Sequence, residues 1–314
     1  MAFQTENFSK PEKVVPSLCD GYVLGNGYVE YTSRDTILYA LGLGASEDPM
    51  DRRDLRYTYE NSEDFGVLPT FAVLVQFLLP QVTSVHDCPG IPEFNPMLLL
   101  HGEHKLTLFK SIPTEGHLRV VSKIRKVEDK GSGALVNIQL HTYDADTGEL
   151  LTINEPGIFV RGIGGFLPAD RKSAGSSKPS VLIPDKEPDF VYTKKTSASQ
   201  AILYRLTGDR NPLHIDPDMA AVGGFERPIL HGLCTFGIAG HGIIKEVCDN
   251  EPAGLRSIEG RFSSPVVPGQ SLRVEMFKGN SKETILFQVR TVETGKICLS
   301  NGVAQLNVPT NAKL

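Results

Sequence analysis

Two rhythms of apolar residues alternate along this chain. In one, every second residue is apolar: Leu272, Val274 and Met276 alternate with Arg273 and Glu275, and Ile285, Phe287 and Val289 alternate with Leu286, Gln288 and Arg290. Period two marks strands with one face buried, so strands are predicted over Ser271 to Phe277 and around Phe287. Gly295 then turns the chain into a last strand through Ile297 and Leu299. In the other rhythm, Leu233, Phe236, Ile243 and Val247 recur at helical spacing. Gly232, Gly237, Gly240 and Gly242 lie among them and leave room for close packing, which predicts a long, mostly buried helix from Leu230 to about Val247. A shorter helix, capped by Ser197 or Ser199, is predicted to run to about Leu206, where Thr207-Gly208 stops it.

The first half repeats this order, with a helix around Thr36 to Leu41, a buried helix from Phe71 to Leu79 stopped by Pro80, and strands near Leu106, Leu118, Val136 and Leu151. Three short words recur in sequence. Ile37-Leu38-Tyr39-Ala40-Leu41 returns as Ile202-Leu203-Tyr204-Arg205-Leu206, Val67 to Phe71 as Ile229 to Leu233, and Leu118-Arg119-Val120 as Leu272-Arg273-Val274. The offsets of 165, 162 and 154 residues shrink, so the second copy is the shorter. Repeats in one order imply an internal duplication. Between the copies, Arg161 to Pro188 is rich in Gly, Ser, Pro and Lys without apolar period, which reads as a linker. The expected organisation is therefore a unit over 1–165, a linker over 166–188 and a unit over 189–314. The fold class is α+β, two antiparallel sheets each wrapping a long central helix.

A chain of 314 residues, 40% of them hydrophobic and 22% charged, is long enough for two cores and excludes collagen-like, coiled-coil and wholly disordered classes. Its net charge is -5 with no block of like charge, so bulk electrostatic binding to nucleic acid or to an anionic membrane is not expected. The five cysteines, Cys19, Cys88, Cys234, Cys248 and Cys298, are scattered and lack CxxC spacing, which argues for free thiols rather than zinc or disulfide scaffolds. Neither a secretory leader at MAFQTENFSK nor a membrane span is expected.

The densest polar cluster follows the short helix of the second half: Tyr204-Arg205-Leu206-Thr207-Gly208-Asp209-Arg210-Asn211-Pro212-Leu213-His214-Ile215-Asp216-Pro217. An acid, an amide and an imidazole fall within six residues, between a glycine and two prolines that restrict the backbone. Asp209 can accept a proton or hold a water, Asn211 can orient that water, and His214 can exchange protons near neutral pH. The same residues also suit a plain Asx turn. The duplication favours chemistry, because the equivalent Gly42-Leu43-Gly44-Ala45-Ser46-Glu47-Asp48 lacks the Asp, Asn, His set.

The run YRLTGDRNPLHIDP and the downstream GGFERPILHGLC resemble the signature of (R)-specific enoyl-CoA hydratases, called hydratase 2, of the MaoC-like hot-dog group. Such units also form part of the peroxisomal multifunctional enzyme type 2. The resemblance spans nearly the whole chain and includes FNPMLLLHGEHKL in the first half. It implies a double hot-dog fold whose N-terminal half holds the acyl chain and whose C-terminal half carries the chemistry. It further implies that Asp209 and His214 are the proton-transferring pair on one water, that Asn211 positions them, and that Gly232 offers its backbone N–H to the thioester oxygen. A helix N-terminus carries partial positive charge and free N–H groups, in keeping with that last role.

The function expected is reversible hydration of a trans-2-enoyl-CoA to a (3R)-hydroxyacyl-CoA, with coenzyme A as part of the substrate and no metal or organic cofactor. The tail Ala312-Lys313-Leu314 is a conservative variant of the Ser-Lys-Leu peroxisomal address, so a peroxisomal location and an import receptor are expected, and the resemblance implies a homodimer. Arg161, Arg171, Lys172, Lys178 and Arg261 are candidates for the coenzyme A phosphates by charge alone. His231 reads as a residue that caps or packs at the helix entrance and His241 as a core or edge histidine rather than a ligand, and Gly162, Gly164 and Gly165 lack the strand-to-helix context of a dinucleotide loop. Rival readings are a hot-dog acyl-CoA thioesterase, an acyl-CoA carrier, and an Fe(II) site on His214, Asp216 and His231. Chain-length preference and the division of protons between Asp209 and His214 stay open.

Overall fold

The period-two segments become ten strands in a computed structural model that describes residues 10–79, 84–168 and 181–307. The first half supplies β1 (Val23–Tyr31), β2 (Leu99–Leu108), β3 (Gly116–Asp129), β4 (Gly133–Asp144) and β5 (Leu150–Arg161). The second supplies β6 (Phe190–Lys195), β7 (Leu255–Phe262), β8 (Ser271–Lys278), β9 (Thr284–Thr291) and β10 (Ile297–Leu306). In β9 the predicted Ile285, Phe287 and Val289 are the buried positions and their neighbours are half-exposed. Gly295 takes the positive φ that its turn requires, +67°.

The two expected sheets are joined into one. Its order is β1-β3-β4-β5-β2-β7-β10-β9-β8-β6, with every neighbouring pair antiparallel. The two halves meet where β2 pairs with β7, from Glu103 opposite Arg261 to Thr107 opposite Ser257. Unpaired strand edges seek partners, and here each half satisfies the other's edge. Adding five to each strand number of the first half gives the second half in reverse order, so the double hot-dog carries an internal pseudo-twofold. The repeated words fall on matching elements: Leu118 and Val120 in β3, and Leu272 and Val274 in β8, are all buried.

The helices break this symmetry. The second half has the predicted long helix, Gly232–Val247, with sixteen residues. The first half, where a helix over Phe71 to Leu79 is expected, instead has a 3-10 helix over Pro69–Leu74 and one α-helical turn over Val75–Leu78. Every residue from Pro69 to Val75 is buried, so packing sets this conformation more than local preference does. The long helix presses on it closely: a Cβ at Gly240 would lie 2.6 Å from Thr70 Cγ2, and one at Gly237 would lie 2.5 Å from Tyr39 Oη. Those glycines allow the approach of the two halves, as their spacing implies.

The short helices agree better with expectation. Residues Ser33–Gly42 form one helix, and Gln200–Tyr204 followed by a 3-10 turn over Arg205–Thr207 forms its counterpart, with Ser199 in the N-cap position. They pack on each other, Gln200 Nε2 donating to the Gly42 carbonyl at 2.6 Å. All five cysteines are free thiols. Among the described residues no helix is long and apolar enough to cross a membrane.

A buried ionic cluster ties the far end of the long helix to the first half. Lys245 Nζ lies 2.7 Å from both Asp54 Oδ1 and Asp51 Oδ2, and His241 Nε2 donates to Asp54 Oδ1 at 3.1 Å. His241 is thus the packing histidine expected, with a defined partner. Burial by itself would raise the Asp54 carboxyl, but hydrogen bonds from His241 and Lys245 outweigh it and hold the group well below the ordinary carboxylate range. A depressed carboxylate stabilises the fold above its unfolded pKa of about 4, and that contribution is lost as pH falls through the folded value. Asp54→Asn should therefore cost on the order of 3 kcal/mol near pH 7, the usual scale for breaking a buried pair. Denaturant titrations should show the gap to wild type narrowing below about pH 4; a gap independent of pH would mean the carboxylate charge plays no part.

Candidate active site

The polar loop begins where the 3-10 turn over Arg205–Thr207 meets Gly208, at φ +137°, a conformation L side chains avoid. A Cβ there would also lie 3.0 Å from Phe77 Cβ, a tight contact that adds to the backbone's demand for glycine. The next turns are made by the loop's own side chains. Asp209 Oδ1 accepts from the Asn211 N–H at 3.2 Å, and Asn211 Oδ1 accepts from the Leu213 N–H at 3.1 Å, capping the 3-10 helix Pro212–His214. The Asx turns read from the sequence are thus present. Asn211 is exposed and its side-chain oxygen builds the loop.

His214 is nearly buried, and its Nδ1 donates to the Ile229 carbonyl at 2.8 Å. That bond fixes the proton on Nδ1 and leaves Nε2 with its lone pair. Burial pushes the pKa of His214 below the ordinary value, against the opposing effects of the Ile229 carbonyl and the Asp209 charge, so the ring is neutral at physiological pH.

His231, read from sequence as a packing residue, stands inside this cluster. It is 1% exposed, its ring stacks on that of His214 with centroids 3.7 Å apart, and its Nε2 donates to the Asp209 carbonyl at 3.1 Å. Burial and the neighbouring His214 push its pKa down to about 3. One carboxylate oxygen of Asp209 and one ring nitrogen each of His214 and His231 lie within 4.8 Å of one another. Asp216, the carboxylate of the iron reading, is occupied elsewhere: it caps the helix Pro217–Val222 by accepting from Asp218 N and Met219 N. The local signal for His231 was only its place next to Gly232; the stacking comes from the fold.

Gly232 is the first residue of the long helix, directly after His231, and its N–H has no partner among the described residues. Its missing side chain has a local cause. A Cβ at Gly232 would lie 3.1 Å from Phe262 Cδ1 and Cε1, so the glycine admits the ring that ends β7.

A cavity of about 240 Å³ opens on His214, walled by Ala201, Ile202, Ile215, Pro228 and Val267, with Arg227 at its edge. Arg227 was absent from the sequence candidates for phosphate binding. Of those, Arg261 lines a separate cavity of about 700 Å³ that also takes in Glu103, Lys105, Arg125 and Glu155 and touches none of Asp209, His214 and Gly232. Arg161 is exposed at the end of β5, and Arg171, Lys172 and Lys178 lie outside the described residues, as does Ala312-Lys313-Leu314.

Comparison with known proteins bears on this site. The MFE-2 hydratase 2 N-terminal domain matches residues 29–162 and the MaoC-like domain matches residues 180–301. The chain is 44% identical over 281 residues to the probable enoyl-CoA hydratase 2 of Dictyostelium discoideum, covering 88% of this chain and 92% of that protein. It is 39% identical over 305 residues to the peroxisomal multifunctional enzyme type 2 of Mus musculus, covering 95% of this chain but only 40% of that longer protein. The crystal structure of a MaoC-like dehydratase from Phytophthora capsici superposes with a TM-score of 0.82 at 32% identity, covering 94% of this chain and 98% of the other. The fold and the family match together define the class as MaoC-like double hot-dog. More narrowly, the chain belongs to the enoyl-CoA hydratase 2 family.

The packing at the helix start yields a test. Gly232→Ala should press on Phe262 and lower stability by about 1–3 kcal/mol, the usual cost of overpacking. Thermal denaturation should show Gly232→Ala/Phe262→Leu more stable than Gly232→Ala alone; no recovery would mean the ring is not what excludes the methyl group.

Proposed function

We propose that this chain adds water reversibly across a trans-2-enoyl-CoA to give a (3R)-hydroxyacyl-CoA, as a hydratase 2 unit of fatty acid β-oxidation. The observation that carries the reading is the convergence of the Asp209 carboxylate and a ring nitrogen of a neutral His214 at one end of a buried helix. A water held between them can give its hydroxyl to Cβ while a proton passes through the pair to Cα; dehydration runs the same path in reverse. Asn211 supports this by bracing the loop between the two residues.

Negative charge develops on the thioester oxygen as hydroxide adds. The Gly232 N–H, at the positive end of the helix, is the donor proposed for it, and such donors are worth roughly 3–4 kcal/mol in comparable sites. His231 acts through the others: it holds the Asp209 backbone and stacks on His214, so it is a positioning residue. The first half, whose Gly42 to Asp48 loop lacks the acid-imidazole set, is assigned to the acyl chain. Arg227 replaces the earlier candidates as the cation for coenzyme A phosphates at the His214 cavity. No organic cofactor enters the scheme. A peroxisomal location is proposed on the names of the relatives, with import by a receptor for the Ala312-Lys313-Leu314 tail and a homodimeric assembly as further proposals.

Incubation with crotonyl-CoA and longer trans-2-enoyl-CoAs should give the (3R)-hydroxyacyl-CoA without release of free thiol. Thiol release would instead favour the thioesterase reading. Asp209→Ala and His214→Ala should each lower kcat by about 100-fold or more with the fold intact by circular dichroism. Near-normal turnover in both would remove the proposed roles.

A further inference from the structure

We propose that Asp209, His214 and His231 also form a Zn²⁺ site, and that zinc bound there competes with the enoyl thioester. The three side chains bring one oxygen and two nitrogen ligand atoms within 4.8 Å of one another, and two imidazoles with one carboxylate suit zinc better than magnesium or calcium, which take oxygen ligands. Three protein ligands leave the fourth position of a tetrahedral ion open.

The surroundings fit this use independently of the spacing. Metal-bound histidines usually give their second ring nitrogen to a carbonyl or carboxylate, which fixes the tautomer and the ring plane. Both histidines here have such a partner: His214 donates from Nδ1 to the Ile229 carbonyl, and His231 donates from Nε2 to the Asp209 carbonyl. The remaining nitrogen of His231, Nδ1, is buried on a residue 1% exposed and has no hydrogen-bond partner, although buried polar atoms are normally paired. A lone pair kept from both water and protein donors suits a cation.

Competition follows from shared atoms and rests on the hydration reading above. The Asp209 carboxylate and the His214 lone pair that would handle the water's protons are two of the three zinc ligands, so either use excludes the other.

Isothermal titration of the metal-free chain with Zn²⁺, in the absence of any thioester, should show one equivalent bound, with Co²⁺ giving the visible absorption of a low-coordinate site. Asp209→Asn, which keeps the side-chain shape, and His231→Ala should each weaken zinc binding by about 100-fold or more, since even outer partners of metal ligands are worth 10–100-fold. His117→Ala, on a half-buried histidine of β3 outside the cluster, should leave it unchanged. Crotonyl-CoA should displace the metal, and a chelator should restore hydration to zinc-treated enzyme. Absence of stoichiometric uptake, or uptake insensitive to Asp209→Asn, would overturn the site, and full hydration at saturating zinc would overturn the competition. Because stoichiometry is read without substrate, the site stands or falls even if the chain hydrates nothing.

Discussion

The burial of one sixteen-residue helix between the two halves is the constraint on which the rest depends. Its glycines let Tyr39 and Thr70 of the first half come within contact of its backbone, and Lys245 near its far end is neutralised by Asp51 and Asp54 of that same half. Held at both points, the helix cannot slide or rotate, and its N-terminus becomes a fixed position in space. His231 and Gly232 stand at that end, and the loop carrying Asp209 and His214 is tied to it by hydrogen bonds to Ile229 and from His231.

The continuous sheet serves the same end. Pairing of β2 with β7 satisfies an edge on each half and fixes the register between the copies, so the first half braces the segment that carries Asp209, His214 and His231. The strands keep the symmetry of the duplication and the helices break it. Among the described residues, the first half has a 3-10 segment and a single α-helical turn where the second has a long helix, and shows no comparable helix N-terminus there.

Much of this was legible locally. Strands β8 and β9 alternate cleanly because one face meets the core and the other meets water, and the long helix shows its buried face as Leu233, Phe236 and Ile243. Other strands gave no such signal. The edge strand β6, Phe-Val-Tyr-Thr-Lys-Lys, has no fully buried residue, and β7 interleaves Leu255 and Ile258 with Arg256, Glu259, Gly260 and Arg261. Their strand character comes from partners far along the chain: β8 for the first, β2 and β10 for the second.

The amino-acid order by itself determined the helix rich in glycines and the loop with Asp209 and His214, because each depends on residues within a few positions of one another, and it determined the duplication because three short words recur in one order. The tertiary structure alone decided that two sheets fuse at β2 and β7 and that the buried His231 packs on His214 rather than elsewhere. Spacing along a chain reports which groups are neighbours in sequence. Which groups share a volume of a few ångströms is settled only when distant segments have been packed, and every contact between His214 and His231 spans a fold that neither residue's neighbours encode.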